Sequence, residues 1–117
     1  MPSLAQLEVA LARMAPAEIA IIEPFLLPSV RRARRLAARD ELVRASAVHY
    51  PEQSTGRALA AALHRDLRRY AATGWRFERD RPPIGDAKRQ AWHAILSLNE
   101  GKMIAAGQIR AILAGLR

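Results

Sequence analysis

The chain has 117 residues, half of them apolar, and a formal net charge of +8 from 19 Lys and Arg against 11 Asp and Glu. This length suits one domain with a single hydrophobic core, since domains commonly contain about 100 to 150 residues. Cysteine is absent, which excludes disulfides, thiolate metal sites and a cysteine nucleophile. We therefore expect a protein of a reducing compartment, the cytoplasm.

The longest apolar run, IAIIEPFLLP at residues 19–28, contains Glu23 and two prolines. It falls short of the roughly 20 apolar residues that a helix needs to cross a bilayer, so no membrane span is expected. Glu8 and Arg13 interrupt the apolar character of the first residues, so no secretory signal is expected either.

The first two helical patterns occupy residues 2–14 and 16–23. Both belong to an acidic, apolar segment, because residues 1–30 carry one Arg against three Glu. Residues 31–89 carry fifteen basic and seven acidic side chains, a net charge of +8, so the middle of the chain holds most of the charge. Positive charge concentrated in this way favours nucleic acid, an anionic surface or an acidic partner.

Two longer helices follow, each with an apolar side and a cationic side. The third is predicted over residues 29–48 with Ser29 as its N-cap, and the fourth runs from an N-cap at Ser54 or Thr55 to residue 73. On the third helix Val43 and Val48 are expected to face the core. The arginines expected on the outward sides are Arg31, Arg32, Arg35 and Arg39 of the third helix and Arg57, Arg65, Arg68 and Arg69 of the fourth.

The stretch that follows, TGWRFERDR, reads as the end of a helix. Gly74 is expected to be a left-handed C′ residue, with Trp75 packing back on Tyr70 in a Schellman cap. If the chain is extended there, as in a short strand WRF, Phe77 turns the same way as Trp75. Two carboxylates dilute the arginines to a local charge of +1, so this loop is not predicted to bind phosphate.

Asp86 is predicted to cap a fifth helix, and a sixth covers residues 103–114. The segment AWHAILSLNEGKMIAAGQIRAILAG resembles the first half of a winged-helix domain, which implies a helix-turn-helix. The sixth helix offers only Gln108 and Arg110 as polar contacts, so the expectation is a plain αα-hairpin that closes the core, with the helix-turn-helix as the alternative. The fold class expected is all-α: a compact bundle of five to six short helices in one domain, residues 1–117. Within it, residues 1–27 are a candidate docking arm and residues 29–117 a basic body.

No residue pattern points to catalysis. His49, His64 and His93 lie in different segments without metal-ligand spacing, and we expect them to be solvated or to cap helices. Neither GxGxxG nor GxxxxGK[ST] occurs among the six glycines. We therefore expect a non-enzymatic protein without a metal or cofactor.

The function predicted is nucleic-acid binding, DNA rather than RNA, through the eight arginines of the third and fourth helices, which would contact the phosphate backbone as monomer or dimer. The alternative is a protein-interaction module that docks through its apolar N-terminal segment. The docking residues of that alternative are Ile19, Ile22, Phe25 and Leu26. A third hypothesis places the basic amphipathic helices on an anionic lipid surface. The charge also has a reading without function, since 17 of the 19 basic residues are Arg, as expected of a chain encoded in GC-rich DNA.

Overall fold

The computed structural model describes residues 6, 21, 23–25 and 27–115. The predicted helices at 2–14 and 16–23 lie almost wholly outside the described residues. The chain divides into two units, residues 1–37 and 38–117, and the division falls inside a helix rather than near residue 28. The single-domain organisation stays a prediction.

The described residues are helical and contain no strand, which confirms the all-α fold class. Two 3-10 helices, Glu23–Phe25 and Ser46–His49, accompany the α-helices. The α-helices with bounds in the described ranges are α1 (Pro28–Ala45), α2 (Gly56–Ala72), α3 (Trp75–Glu78), α4 (Ala87–Leu98) and α5 (Ala106–Leu113). None of them combines the length and the apolar character needed to cross a bilayer.

Two of the predicted N-caps are confirmed by their hydrogen bonds. Thr55 Oγ1 accepts from the Ala58 N–H at 3.0 Å at the start of α2, and Asp86 Oδ1 accepts from the Arg89 N–H at 3.0 Å at the start of α4. The prediction for Ser29 is wrong, because α1 begins one residue earlier, at Pro28. Proline is tolerated there, since the first helical N–H has no partner within the helix.

The core of the second unit lies between α2, α4 and α5. Its largest fully buried side chains are Leu63 and Leu67 of α2, Ile95 and Leu96 of α4, Ile104, and Ile109 and Ile112 of α5. The predicted C-terminal pair of helices is present as α4 and α5, and each packs on α2 rather than chiefly on the other. Glu100 (φ 57°) and Gly101 (φ 74°) turn the chain after α4, and the Gly101 N–H donates to the Leu96 carbonyl at 2.7 Å.

The last turns of α1 depart from the predicted helical wheel. Val43 is fully buried as expected, but Val48 is 74% exposed. The α-helix ends at Ala45 and gives way to the 3-10 helix Ser46–His49, in which three rather than 3.6 residues make a turn. At about 100° per residue an α-helix would already place Val48 about 140° from Val43, and the tighter 3-10 pitch adds to that separation.

Arg39 is the largest correction on α1, because it is 3% exposed and does not lie on an outward cationic face. Its Nη2 and Nε donate to Asp40 Oδ1 at 2.9 and 3.1 Å, and its Nη1 donates to Asn99 Oδ1 at 2.8 Å. Four residues separate Arg39 from buried Val43, which places both on one side of a helix. Arg39 therefore joins α1 to the end of α4.

We predict that Arg39→Ala lowers the free energy of unfolding by about 3 kcal/mol or more, since it takes the arginine partner away from a buried carboxylate. Arg31→Ala, at an exposed position of the same helix, is the matched control and should change it by no more than about 0.5 kcal/mol. Urea unfolding followed by circular dichroism measures both. Equal effects of the two substitutions would contradict the buried pairing.

Candidate nucleic-acid interface

The arginine face of α2 consists of Arg57, Arg65, Arg68 and Arg69, all four of them exposed. At 100° per residue they fall within about 120° of the helix circumference, and exposed Ala61 and Ala72 lie between them. The small alanine side chains leave the guanidinium groups accessible. From Arg57 to Arg69 the face extends about 18 Å along the helix axis.

Most of the charge on this face is not neutralised within the described part of the chain. Arg65 Nε lies 3.3 Å from Asp66 Oδ1, whereas no carboxylate of the described residues forms an ion pair with Arg57, Arg68 or Arg69. Asp66 is the single acidic residue of α2, and its side chain is 9% exposed. The face therefore presents three guanidinium groups whose donors are available to an anion.

Asp66 fixes the opposite, buried side of α2. The Tyr50 hydroxyl donates to Asp66 Oδ2 at 2.7 Å and accepts from the Trp92 indole N–H at 3.0 Å. Lys88 Nζ lies 3.8 Å from Asp66 Oδ2 and 4.1 Å from the centroid of the Tyr50 ring. Because these groups come from α4 and from the residue after the 3-10 helix, they hold α2 in one rotation about its axis, with the arginines outward.

Both tyrosines on this side of α2 stay protonated to a higher pH than an ordinary tyrosine does, because their pKa values are raised. Burial, and then the hydrogen bond to Asp66, raise the pKa of Tyr50. Burial and the neighbouring Glu78 carboxylate raise the pKa of Tyr70 to about 12. The hydroxyl groups beneath the arginine face are therefore neutral at physiological pH.

The segment after α2 differs from the predicted cap. Gly74 has φ −70° and ψ −37°, which is not left-handed, and Trp75–Glu78 form the short helix α3 rather than an extended strand. Gly74 is needed for space instead: a Cβ there would lie 2.6 Å from Arg89 Nη2 and 2.7 Å from Tyr70 Cε1. The predicted Schellman cap and the predicted strand are therefore both wrong. Glycine is required at position 74 because Arg89 of α4 packs against it, and a contact with a residue so distant in sequence cannot be deduced from the local pattern.

Arg89 and His93 of α4 hold α3 in place. Arg89 Nε donates to Glu78 Oε1 at 2.6 Å, and this hydrogen bond raises the pKa of the guanidinium. His93 is buried rather than solvated, and its Nε2 lies 2.7 Å from the Glu78 carbonyl, which accepts its N–H. Its ring is 5.4 Å from that of Trp75. His93 thus has a structural role that its sequence position did not indicate.

The other predicted site residues belong to the first unit or to no described range. Arg31 and Arg32 are exposed and Arg35 is half-buried, all on the first part of α1. Phe25, of the alternative docking segment, is 84% exposed. Ile19, Ile22 and Leu26 lie outside the described residues.

Sequence reasoning missed an open groove where α2 meets α3. Its lining residues are Ala72, Thr73, Gly74, Arg76, Phe77 and Arg89. Phe77 is 79% exposed, whereas an extended chain would have turned it inward with Trp75. In a helix, residues two apart point about 200° from each other, so a helical reading of WRFE would have separated the two aromatic rings.

Among the described residues no group of three His, Cys, Asp or Glu side chains is placed to hold a metal ion. Comparison with protein-family models, curated proteins and solved structures finds no match for this chain. What the arginine face does is therefore argued from its own geometry.

We predict that the protein loses stability as the pH rises above 10. The unfolded chain releases its two tyrosine protons near the ordinary pKa of 10.0, whereas both raised values keep them bound in the folded protein. The contribution of the two protonated tyrosines to the free energy of unfolding is complete below pH 10. Above pH 10 it declines by up to about 1.4 kcal/mol per pH unit for each tyrosine.

Urea unfolding in a series of buffers from about pH 8 to about pH 11 measures this slope, and tyrosinate absorbance reports ionisation directly. Tyr50→Phe should reduce the slope, because only Tyr70 then remains to titrate. An unchanged slope in that variant would show that Tyr50 ionises as easily in the folded protein as in the unfolded chain.

Proposed function

We propose that this protein binds nucleic acid by placing the arginine face of α2 against the phosphate backbone. The observation that carries the proposal is the set of three exposed arginines, Arg57, Arg68 and Arg69, with no carboxylate partner in the described chain. A guanidinium presents a planar fork of donors that suits phosphate oxygens and keeps its charge at any physiological pH. Arg65 adds a fourth donor group that it shares with Asp66.

Backbone contacts of this kind give affinity with little sequence selectivity, because phosphates carry no base information. Each phosphate that is neutralised releases condensed counterions, so binding weakens as salt increases. The proposed activity is non-enzymatic, since binding alone uses the groups on this face. Arg39 has no part in it, because its guanidinium is committed to Asp40 and Asn99.

A second candidate function is docking of a protein partner through the apolar residues before α1. The specific observation is exposure: Ile21, Phe25 and Leu27 are large apolar side chains that the structure leaves at the surface. A contiguous exposed apolar patch is typical of an interaction site, and three such side chains within seven residues could contribute to one. This candidate uses the first unit, whereas nucleic-acid binding uses the second, so the two can be tested separately.

We predict that Arg68→Gln with Arg69→Gln weakens binding to a labelled DNA duplex and lowers its salt dependence. If all four arginines contact phosphates, the slope of log affinity against log salt should be about −3 to −4 for the native protein, and two lost contacts should reduce its size by about 1.8. Fluorescence anisotropy from about 50 to about 200 mM salt measures the slope.

The matched control is Lys102→Gln with Arg110→Gln, which removes the same two charges from exposed positions in the turn before α5 and on α5. It should leave the slope close to that of the native protein. Equal losses in the two double variants would contradict a defined interface, because net charge alone would then account for binding.

We predict that Phe25→Ser changes the free energy of unfolding by no more than about 0.5 kcal/mol, since the side chain is a surface group. A core phenylalanine replaced by a small residue costs about 3 to 5 kcal/mol. Urea unfolding distinguishes the two. A loss of the larger size would remove Phe25 from the docking surface and place it in the core.

A further inference from the structure

The groove between α2 and α3 continues the arginine face at its C-terminal end. Ala72 belongs to both, and the Thr73 hydroxyl, on the groove wall, donates to the Arg69 carbonyl at 2.7 Å. A backbone that follows the arginines along α2 toward its C-terminus would therefore reach the groove next. The floor of the groove is built around Gly74, whose missing Cβ leaves room for the Arg89 guanidinium.

Phe77 and Arg76 form the far wall, and neither is used by the fold. Phe77 is 79% exposed, and the Arg76 guanidinium lies 5.8 Å from the centroid of its ring. Among the described residues Arg76 has no carboxylate partner, whereas Arg89 is paired with Glu78. The groove thus combines one cation paired with a carboxylate, one cation without a carboxylate partner that lies over one side of the Phe77 ring, and an aromatic ring that is otherwise exposed to solvent.

We propose that Phe77 stacks on an unpaired base, so that the preferred ligand is single-stranded nucleic acid whose phosphates run along the arginine face of α2. This inference rests on the proposed function and names its ligand class. Proteins that bind single strands combine a cationic track with aromatic rings on which bases stack, and that is the pairing of features present here.

The charge around Phe77 favours a nucleotide over an apolar segment of a protein as the ligand of the groove. A nonpolar peptide would have to lie beside Arg76 without compensating its charge, whereas a nucleotide brings a phosphate for the guanidinium and a base for the ring. A duplex offers phosphates but keeps the faces of its bases stacked within the helix, so it gains nothing from Phe77. If Phe77 stacks on a base, it should therefore increase the affinity for single-stranded nucleic acid but not the affinity for a duplex.

The test compares Phe77→Leu, which keeps an apolar side chain without a ring, with the native 117-residue chain. The probes are labelled single-stranded DNA and RNA oligonucleotides and a DNA duplex of equal length, followed by fluorescence anisotropy at one fixed salt concentration. Affinity for the single strands should fall about tenfold, the size expected for one stacked base, and affinity for the duplex should change less than about twofold. Phe77→Trp should retain single-strand binding, because indole also stacks.

Ile84→Ala, at an apolar side chain that is even more exposed, is the control and should leave both affinities unchanged. Stacking is overturned if Phe77→Leu leaves single-strand binding intact, or if it weakens the single strand and the duplex equally. In either case the proposed function stands, provided that the Arg68 and Arg69 variant still loses affinity. If the native protein binds none of the probes, the proposed function and the stacking fail together.

Discussion

The buried carboxylate of Asp66 is the contact on which the orientation of α2 depends. A carboxylate that is withdrawn from water needs donors, and this one accepts hydrogen bonds from the Tyr50 hydroxyl and from Arg65 on its own helix. Lys88 at the start of α4 adds an ion pair at 3.8 Å. Tyr50 in turn accepts from Trp92. These contacts set one side of α2 against the core, and the arginines consequently face water. The same network that stabilises the fold therefore determines which surface the protein presents.

The basic side chains discussed above fall into two groups. Arg39, Arg89 and Lys88 lie near carboxylates and join helices to one another. Arg57, Arg68, Arg69 and Arg76 have no such partner in the described chain and point outward. Surface arginines contribute little to folding, and clustering them on one face adds repulsion that only salt or an anion relieves. The contrast between paired and unpaired arginines supports the proposed binding surface more specifically than the net charge of the chain does.

Local chemistry made parts of the fold predictable from the sequence. Thr55 and Asp86 cap helices through their own side chains, and the apolar and arginine sides of α2 follow from helical periodicity alone. The predictions were wrong where a residue distant in sequence determines the local conformation or the burial of a side chain. Gly74 was read as a left-handed residue because glycine commonly has that role, but Arg89 requires the space; Arg39 and His93 were expected at the surface, but Asn99 and the Glu78 carbonyl supply buried partners. The inward orientation of Phe77 was predicted only for an extended chain, and Trp75–Glu78 form a helical turn instead.

The most direct test is a map of amide chemical-shift changes by nuclear magnetic resonance as a short single-stranded oligonucleotide is added to the 117-residue chain. The account predicts that the largest changes fall on the exposed side of α2 and in the groove, from Arg57 through Arg65, Arg68 and Arg69 to Phe77, and that added salt reverses them. Changes centred elsewhere, for example on the exposed side of α5 around Arg110, would contradict it, because the protein would then bind nucleic acid through a surface other than the arginine face of α2.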